Sequence, residues 1–302
     1  MTQSAKVITD SISPEGIRLI TMELRYPKFI HGELMTHRVL SRNASSSRAI
    51  PVERLIQDVM DDPVIPIHWG ANRPGMQAHD VLKEEQSDIA NTAWIKARDS
   101  AVVYAREMAR IGLHKQLVNR IIEPWCHIRV VVTATEWDNF FLLRRHPDAQ
   151  PEMRALAVAM WEAQQASKPT LLKPGEWHLP YFDRDIEVNL LPTRPEDRTD
   201  ISWPEWFHSL AIKISVARCA RVSYLTHEGK PPDVAADLAL YDRLVGSVPL
   251  HASPTEHQAT PDDVHYRYDD RAYWKNSHEH GNLVGWRQYR KMLPNEAGGT
   301  HS

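Results

Sequence analysis

The pattern that most constrains how this chain can fold is a helical repeat of small and apolar residues across residues 82–111. The small and apolar residues recur at steps of three and four, at Ile89, Ala93, Ala97, Ala101, Ala105, Met108 and Ala109. Because side chains at these steps share one face of an α-helix, the spacing predicts one long amphipathic helix. Residues 152–167 predict a second helix in the same way.

A strand pattern runs through residues 17–26, upstream of the long helix. Apolar residues alternate there with polar ones, and one side of the strand carries Ile20, Met22, Leu24 and Tyr26. This period of two predicts a half-buried β-strand. Recurring prolines, with glycine or Asp/Arg pairs, mark residues 62–77 and 168–204 as loops. The sequence therefore combines strand with long helices.

Composition narrows the class of protein further. The 302 residues are 42% apolar and 25% charged, which is ordinary for a globular protein. The formal net charge of −3 provides no extended positive field, so an anion site must be a local basic pocket and direct nucleic-acid binding is not expected. With two cysteines, no signal-peptide pattern and no apolar run of roughly 20 residues, we expect a cytoplasmic protein without a membrane partner.

Residues 36–48 concentrate groups that bind anions. They read Thr-His-Arg-Val-Leu-Ser-Arg-Asn-Ala-Ser-Ser-Ser-Arg. Arginine provides planar forks that match phosphate oxygens, and short serine side chains let backbone N–H groups approach the same oxygens. A solvated serine-rich surface loop is the alternative interpretation. Apolar residues on both sides, at 34–35 and 50–52, indicate flanking structured elements and favour the anion-binding loop.

This segment resembles the signature of the flavin-dependent thymidylate synthases, which is Arg-His-Arg, seven arbitrary residues and Ser, within an Asn-Glu-x-Ser-x-Arg-Tyr context. The residues that fall on the pattern are His37, Arg38, Asn43, Ser46 and Arg48. Three positions depart from it, because Thr36 replaces the first Arg, Ala44 the Glu and Ala49 the Tyr. The signature motif is therefore degenerate in this chain.

Two further stretches resemble the same family. Asn139 and Arg144 match its Asn-x-x-x-x-Arg motif, and residues 149–154 match the Ala-Gln-x-Glu-Ile/Met-Arg helix that follows, although Asp148 stands where the family usually has His. Residues 119–124 resemble the family's Ala-Arg-x-x-Leu-Pro, whose Arg reaches the nucleotide phosphate. An ordinary helix end would explain the arginine at the end of this helix, but not the order of the motifs.

A fourth match lies on the other side of the signature. Residues 217–224 and 251–257 resemble the family's Ala-Arg-Val-Ser-Tyr and His-x-Ser/Thr-Pro-Phe-Glu-His, which in the family precede the Arg-His-Arg motif. We therefore expect one circularly permuted catalytic domain over residues 1–302, since the termini of compact domains often lie close together. Its parts would be a core at 15–167, a returned N-terminal segment at about 205–262 and a C-terminal extension at 263–302.

The resemblance implies an α+β fold with a curled, mostly antiparallel sheet flanked by long helices, in a homotetramer whose subunits share their sites. It implies FAD as cofactor, with NADPH and 5,10-methylenetetrahydrofolate as co-substrates. Arg144 would be catalytic, stabilising a uracil ring deprotonated at N3. The implied dUMP contacts are Glu33, Ser46, Ser47, Arg48, Arg120 and Arg144. The implied FAD contacts are His37, Arg38, Asn43, Asn139 and His257.

The implied reaction is reductive transfer of a one-carbon unit from methylenetetrahydrofolate to C5 of dUMP. C5 of a uracil is a poor nucleophile until C6 gains an electron pair or the ring loses its N3 proton. A reduced flavin that delivers hydride makes a side-chain nucleophile unnecessary. Two alternatives stay open: a flavin- and folate-using hydroxymethylase of dUMP or dCMP, and a non-catalytic nucleotide-binding homologue.

Three other features are interpreted from the residues alone. Cys126 beside His127 resembles the Pro-Cys-His of flavin-independent thymidylate synthases, but the rest of that pattern is absent and a small buried thiol is favoured. Histidines within residues 251–280 lack a carboxylate or cysteine at zinc-site spacing, so no metal is expected. Residues 276–291 either cover a base or pterin ring or form a basic amphipathic helix on the core, and the helix is favoured.

Overall fold

The computed structural model describes residues 3–75, 77–222, 233–247, 250–269, 271–294 and 296. Ser223 and Tyr224 of the fourth motif lie outside the described residues. The helices are α1 (His31–Met35), α2 (Val52–Asp61), α3 (Glu84–Arg110), α4 (Lys115–Val118), α5 (Asp138–Arg144), α6 (Pro151–Ala166), α7 (Arg184–Glu187), α8 (Trp203–Arg221) and α9 (Val234–Val245). The strands are β1 (Ser4–Ile12), β2 (Arg18–Pro27), β3 (Ser41–Ala44), β4 (His127–Ala134), β5 (Thr170–Leu171), β6 (Ala259–Pro261), β7 (Val264–Tyr268), β8 (Arg271–Trp274) and β9 (Trp286–Gln288).

A five-stranded sheet lies at the centre of the described residues, in the order β3-β4-β2-β1-β5. Neighbouring strands pair antiparallel except β5, which runs parallel to β1. Two short antiparallel pairs, β6 with β9 and β7 with β8, follow later in the chain. The α+β class with a mostly antiparallel sheet is therefore confirmed, as are the strand at β2 and the long helices at α3 and α6.

One face of the sheet packs against α6. The buried residues of this core include Ile20, Met22, Leu24 and Tyr26 of β2, Val130 and Val132 of β4, and Met153, Leu156, Ala157 and Met160 of α6. Each large apolar side chain buried here stabilises the fold by roughly 1.5–3 kcal/mol relative to exposure. The register of β2 is fixed by this burial, because a slip of one residue would turn its apolar side away from α6.

A second core lies where α2 and α3 meet the 3-10 helix Asn119–Trp125. It contains Leu55, Ile56 and Val59 of α2, Val102 and Ala105 of α3, and Val118, Ile122 and Trp125. The C-terminal half of α3 supplies its buried residues to this core, and Trp94 of the N-terminal half packs against it. Ile89, on the predicted apolar face of the same helix, is exposed.

The opposite face of β2 is covered by polar residues from far along the chain. The Thr21 hydroxyl lies 2.6 Å from that of Thr133 and 2.8 Å from His178 Nε2. Beyond them, His178 Nδ1 lies 2.9 Å from Ser11 Oγ, and Thr133 Oγ1 lies 2.8 Å from His257 Nδ1. We call these five buried residues the polar chain. Burial lowers the pKa of both histidines to about 3, so their rings are neutral at neutral pH.

The expected helix over 276–291 is wrong. The structure has a 3-10 turn at Ser277–Glu279, strand β9 and a 3-10 turn at Tyr289–Met292. Gly281 and Gly285 adopt positive φ values of 58° and 78°, which end a helix. A Cβ on Gly285 would lie 2.5 Å from Ile17 Cδ1, so the close packing there requires glycine.

The anion-binding segment also differs in detail from a simple loop after a strand. A 3-10 helix, Lys28–Ile30, and α1 separate β2 from it, and its middle forms the edge strand β3. Residues 62–77 and 168–204 are largely loops as predicted, with β5, α7 and a 3-10 turn at Val188–Leu190 as short exceptions. None of the described helices is long and apolar enough to cross a membrane.

Candidate functional site

A cleft of about 1510 Å³ opens beside the C-terminal end of α5. Arg144, the last residue of that helix, lines it together with Glu33 of α1. Phe29 and Trp94 form an aromatic wall, with their rings edge to face at 6.5 Å between centroids. The cleft therefore combines a permanent positive charge with aromatic surface, which suits a planar, acidic heterocycle.

Three side chains hold the Arg144 guanidinium in place. Its Nε donates to His37 Nε2 at 2.7 Å, one terminal nitrogen donates to Glu33 Oε2 at 3.2 Å, and the other donates to Thr36 Oγ1 at 3.3 Å. We call these four residues the Arg144 cluster. Arginine has five N–H groups, so two are left for a ligand after these three contacts among the described residues.

The partners of Arg144 lie together because of where they stand on α1. Glu33, Thr36 and His37 are three and four residues apart, so their side chains share one side of this short helix and its C-terminal end. The Thr36 hydroxyl also donates to the Glu33 carbonyl at 2.7 Å. On the other side, α5 is held by Phe140 and Phe141, which are buried in the sheet core.

His37 is a neutral hydrogen-bond acceptor in this cluster. Burial lowers its pKa, and the positive charges of Arg144 and Arg42 lower it further. Because the Arg144 Nε–H donates to Nε2, the proton of the neutral ring lies on Nδ1. The ring edge packs on Phe140 at 4.9 Å between centroids. The cluster thus carries one guanidinium and one carboxylate, with no second cation on the histidine.

A second group of polar residues surrounds Glu123. Its Oε1 accepts hydrogen bonds from Lys28 Nζ, from Ser47 Oγ at 2.6 Å and from Arg120 at 3.0 Å. We call these four residues the Glu123 cluster. The implied dUMP contacts Ser47 and Arg120 are therefore brought together, around a carboxylate of the chain itself. Arg48 is exposed on the turn next to it.

The single chain divides the implied dUMP contacts into two groups. Glu33 and Arg144 line the cleft, whereas Ser47 and Arg120 belong to the Glu123 cluster. Ser46 lies in the turn before Ser47 and accepts a backbone hydrogen bond from Ala49.

The implied FAD contacts are also divided. Arg38 and Asn139 are exposed, while His37 belongs to the Arg144 cluster. Asn43 is buried, where its amide donates to the Cys219 carbonyl at 2.7 Å and thereby joins β3 to α8.

His257 stands farthest from an open surface among the implied FAD contacts. Its side chain is fully buried at one end of the polar chain. Its Nε2 has no hydrogen-bond partner among the described residues.

Residues 15–170 match the family model described as thymidylate synthase complementing protein. The match spans more than half of the 302 residues. The chain belongs to this family. No curated protein matches it. Two solved structures of the UMP/dUMP methylase PolB from Streptomyces cacaoi are similar to this chain, each at 15% sequence identity over 54% of it. The structure bound with 5-Br dUMP is covered over 89% of its own chain with a TM-score of 0.45. The structure bound with 5-Br UMP is covered over 88% with a TM-score of 0.44.

The part matched to the thymidylate synthase complementing family contains both the Arg144 cluster and the Glu123 cluster. Sequence patterns did not reveal the partners Thr36, Lys28 and Glu123. Two of these residues stand at motif positions that depart from the family pattern, which is the signal that could have pointed to them. Thr36 replaces the first arginine of the signature, and Glu123 stands at the leucine of Ala-Arg-x-x-Leu-Pro.

The interpretation of Cys126 as a small buried thiol is confirmed. Its side chain is buried, its Sγ lies 3.4 Å from the Ile122 carbonyl, and burial raises its pKa to about 12. A thiol in this state is a poor nucleophile, because the thiolate is the reactive form. Within the described residues, no group of three or more His, Cys, Asp or Glu side chains is placed to hold a metal ion.

Proposed function

We propose that this member of the thymidylate synthase complementing family is a cytoplasmic, FAD-dependent enzyme that transfers a one-carbon unit from 5,10-methylenetetrahydrofolate to C5 of dUMP, with NADPH as reductant. The observation that carries the proposal is the Arg144 guanidinium, which lines a large cleft while Glu33, Thr36 and His37 hold it. A preorganised cation of this kind is what a uracil anion requires.

Arg144 is the catalytic residue in this proposal. Its charge is permanent, and the two N–H groups beyond the cluster are available to the oxygen and N3 of a uracil ring deprotonated at N3. Three hydrogen bonds fix the guanidinium before substrate arrives, so little reorganisation is needed as negative charge develops. The neutral His37 adds no charge that would compete for the ring.

The exposed polar residues near the Arg144 cluster fit a flavin better than the buried ones. When bound, FAD would supply the hydride that completes the new C5 substituent. Arg38 and Asn139 have exposed side chains, the first directly after His37 in the sequence and the second on α5, and His37 carries its proton on Nδ1. These three would hold the cofactor. Contacts from Asn43 and His257 would require the interior of the chain to open, since both are buried.

We further propose that the active site is shared between subunits of a homotetramer. Leu142 and Leu143 precede Arg144 directly, and their side chains are 74% and 51% exposed. Exposed leucines beside a catalytic residue are typical of a surface covered by another copy of the chain. A neighbouring subunit would then bring the other implied dUMP contacts toward the nucleotide in the cleft. These are Ser46, Ser47, Arg48 and Arg120.

The proposed circular permutation is supported by contacts between the returned segment and the family core. The Asn43 amide donates to the Cys219 carbonyl, and its oxygen accepts from Ser253 Oγ at 3.3 Å. His257 hydrogen-bonds to Thr133 of β4. Residues from 205–262 therefore contact β3 and β4 of the family core, as one domain built from both segments requires.

The absorption spectrum of the purified protein and the mass of its product test the proposal. The protein is incubated with dUMP or dCMP, NADPH and methylenetetrahydrofolate, and we expect a flavin spectrum with dTMP formed from dUMP. A flavin spectrum with a hydroxymethylated nucleotide would instead establish the hydroxymethylase, since that product carries an extra oxygen. A colourless protein that stays inactive with added FAD would contradict the proposal.

A further inference from the structure

The Glu123 cluster already contains an anion, and the chain itself supplies it. We propose that Glu123 is a specificity-determining residue that competes with the nucleotide phosphate for Lys28, Ser47 and Arg120, so that the phosphate adds little to affinity. The identity of the nucleotide rests on the proposed function. The competition itself rests on the contacts of Glu123.

The contacts of Glu123 are those that a phosphate oxygen would make. One carboxylate oxygen accepts from an ammonium, a hydroxyl and a guanidinium, the three donor types that proteins commonly direct at phosphate. The second oxygen accepts again from Arg120 at 3.3 Å. The hydrogen atoms given to Glu123 are not available to a ligand at the same time.

The turn that carries Ser47 is fixed in the position that serves Glu123. The fully buried Asn119 donates to the Ser47 carbonyl at 2.7 Å and to the Ile50 carbonyl at 3.0 Å. Lys115 donates to the Ala49 carbonyl at 3.1 Å. A phosphate therefore meets a preformed corner in which the Ser47 hydroxyl, the Lys28 ammonium and one terminal nitrogen of Arg120 already donate to a carboxylate, rather than a loop that closes around it.

Charge supports the same conclusion. Lys28 and Arg120 contribute two positive charges and Glu123 one negative charge, so the cluster is a weaker anion site than its cations alone would be. The pKa of Glu123 is raised by burial but lowered more by Lys28, Ser47 and Arg120, so the carboxylate stays ionised at neutral pH. The leucine of the family pattern at this position would leave both cations to the phosphate.

Binding of dUMP, deoxyuridine and inorganic phosphate to the full chain tests this inference by calorimetry. For the unmodified protein we expect dUMP and deoxyuridine to bind within about threefold of each other. In Glu123→Gln and Glu123→Leu, dUMP should gain at least about tenfold over deoxyuridine. Glu53→Gln is the matched control, because Glu53 is an exposed carboxylate that pairs at the surface with Arg106.

The outcomes separate this inference from the proposed function. A preference for dUMP over deoxyuridine of more than about tenfold in the unmodified protein overturns the inference, and that measurement needs no variant to fold. Equal phosphate affinity in Glu123→Gln and the unmodified protein overturns it as well. Tighter phosphate binding by Glu123→Gln, in a protein that never turns over dUMP, upholds the inference while the proposed function fails.

Discussion

Arg144 derives its position from residues that are distant in sequence but adjacent in space. Glu33 lies in α1 and Thr36 and His37 directly follow that helix, whereas Arg144 ends α5. The three acceptors lie on one side of α1 and its C-terminal end, so the guanidinium is held by three side chains at once. A side chain held in this way keeps its orientation through binding and reaction.

The first prediction concerns this residue. We expect Arg144→Ala to lower kcat for dUMP by about a thousandfold, because it removes the charge that stabilises the ring anion. The fold should remain, as judged by circular dichroism, since the side chain is partly exposed.

Arg145→Ala is the matched control for that prediction. The guanidinium of Arg145 packs 4.0 Å over the ring of Trp161, on the next helix, rather than in the Arg144 cluster. This variant should keep most of its turnover while losing some thermal stability. Full turnover in Arg144→Ala would remove Arg144 from the catalytic role.

At this scale the structure brings some of the implied site residues together and separates others. Glu33 and Arg144, both implied by the resemblance, lie together in the cleft. The burial of Asn43 and His257 could not be predicted, because it depends on residues far from them in the chain, Cys219 and Thr133. Burial of this kind is a property of the assembled fold.

Among the elements, α8 buries an arginine that joins it to two other helices. Arg218 donates to Glu187 at 2.5 and 2.6 Å and to Asp237 at 2.8 Å, and so links α8 to α7 and α9. The Tyr181 carbonyl accepts a further bond at 2.7 Å. Arg221 donates to the other Asp237 oxygen at 2.7 Å, so two guanidinium groups face two carboxylates and the network forms a structural joint.

The second prediction follows from that joint. We expect Arg218→Met to lower the free energy of unfolding by about 3–5 kcal/mol, because the buried Glu187 carboxylate loses its guanidinium partner and Asp237 keeps Arg221 but loses Arg218. Urea denaturation followed by fluorescence measures the change. Arg106→Met removes an exposed ion pair with Glu53 and should leave the midpoint nearly unchanged. Equal midpoints for the two variants would contradict the structural role.

The success of the element predictions depended on length and local pattern. The strand β2 and the helices α3 and α6 repeat their apolar residues over two or more turns or pleats, so the period alone identifies them. The helix α1 has five residues and no such repeat. The helix prediction for residues 276–291 failed for another reason. Gly281 and Gly285 adopt positive φ angles that interrupt a helix, whatever the pattern of aromatic and basic residues around them.

For the whole molecule, the buried histidines of the polar chain couple stability to pH. The pKa values of His178 and His257 are lowered to about 3, whereas a histidine in the unfolded chain has a pKa of about 6.5. Below that pH the unfolded state binds protons that the native state does not, so stability falls as pH falls. We expect the two residues to remove roughly 3 kcal/mol between pH 6.5 and pH 5.

Urea denaturation at several pH values between 7.5 and 5 checks this third prediction. His127, whose pKa is lowered to about 4, adds to the loss in the same direction. A His178→Gln variant should be less stable at pH 7.5 and show a shallower pH dependence, because one titrating ring is gone. A midpoint that does not move with pH would contradict the buried, neutral state of these rings.

The fourth prediction concerns the proposed assembly. We expect Leu142→Glu to shift the protein from tetramer toward smaller species in light scattering and to lower turnover, since a buried carboxylate would disfavour the interface. Tyr268→Glu is the control, because Tyr268 is similarly exposed but lies on β7, in the C-terminal extension. A monomer formed by the unmodified protein would contradict the shared site.

The polar chain also determines when the interior can close during synthesis. Thr21 and Thr133 leave the ribosome before their imidazole partners at His178 and His257. Until the second of these imidazoles emerges, the Thr133 hydroxyl lacks one partner, and enclosing it would forfeit its hydration. We therefore expect this face of the nascent sheet to stay open to water until residue 257 has been translated.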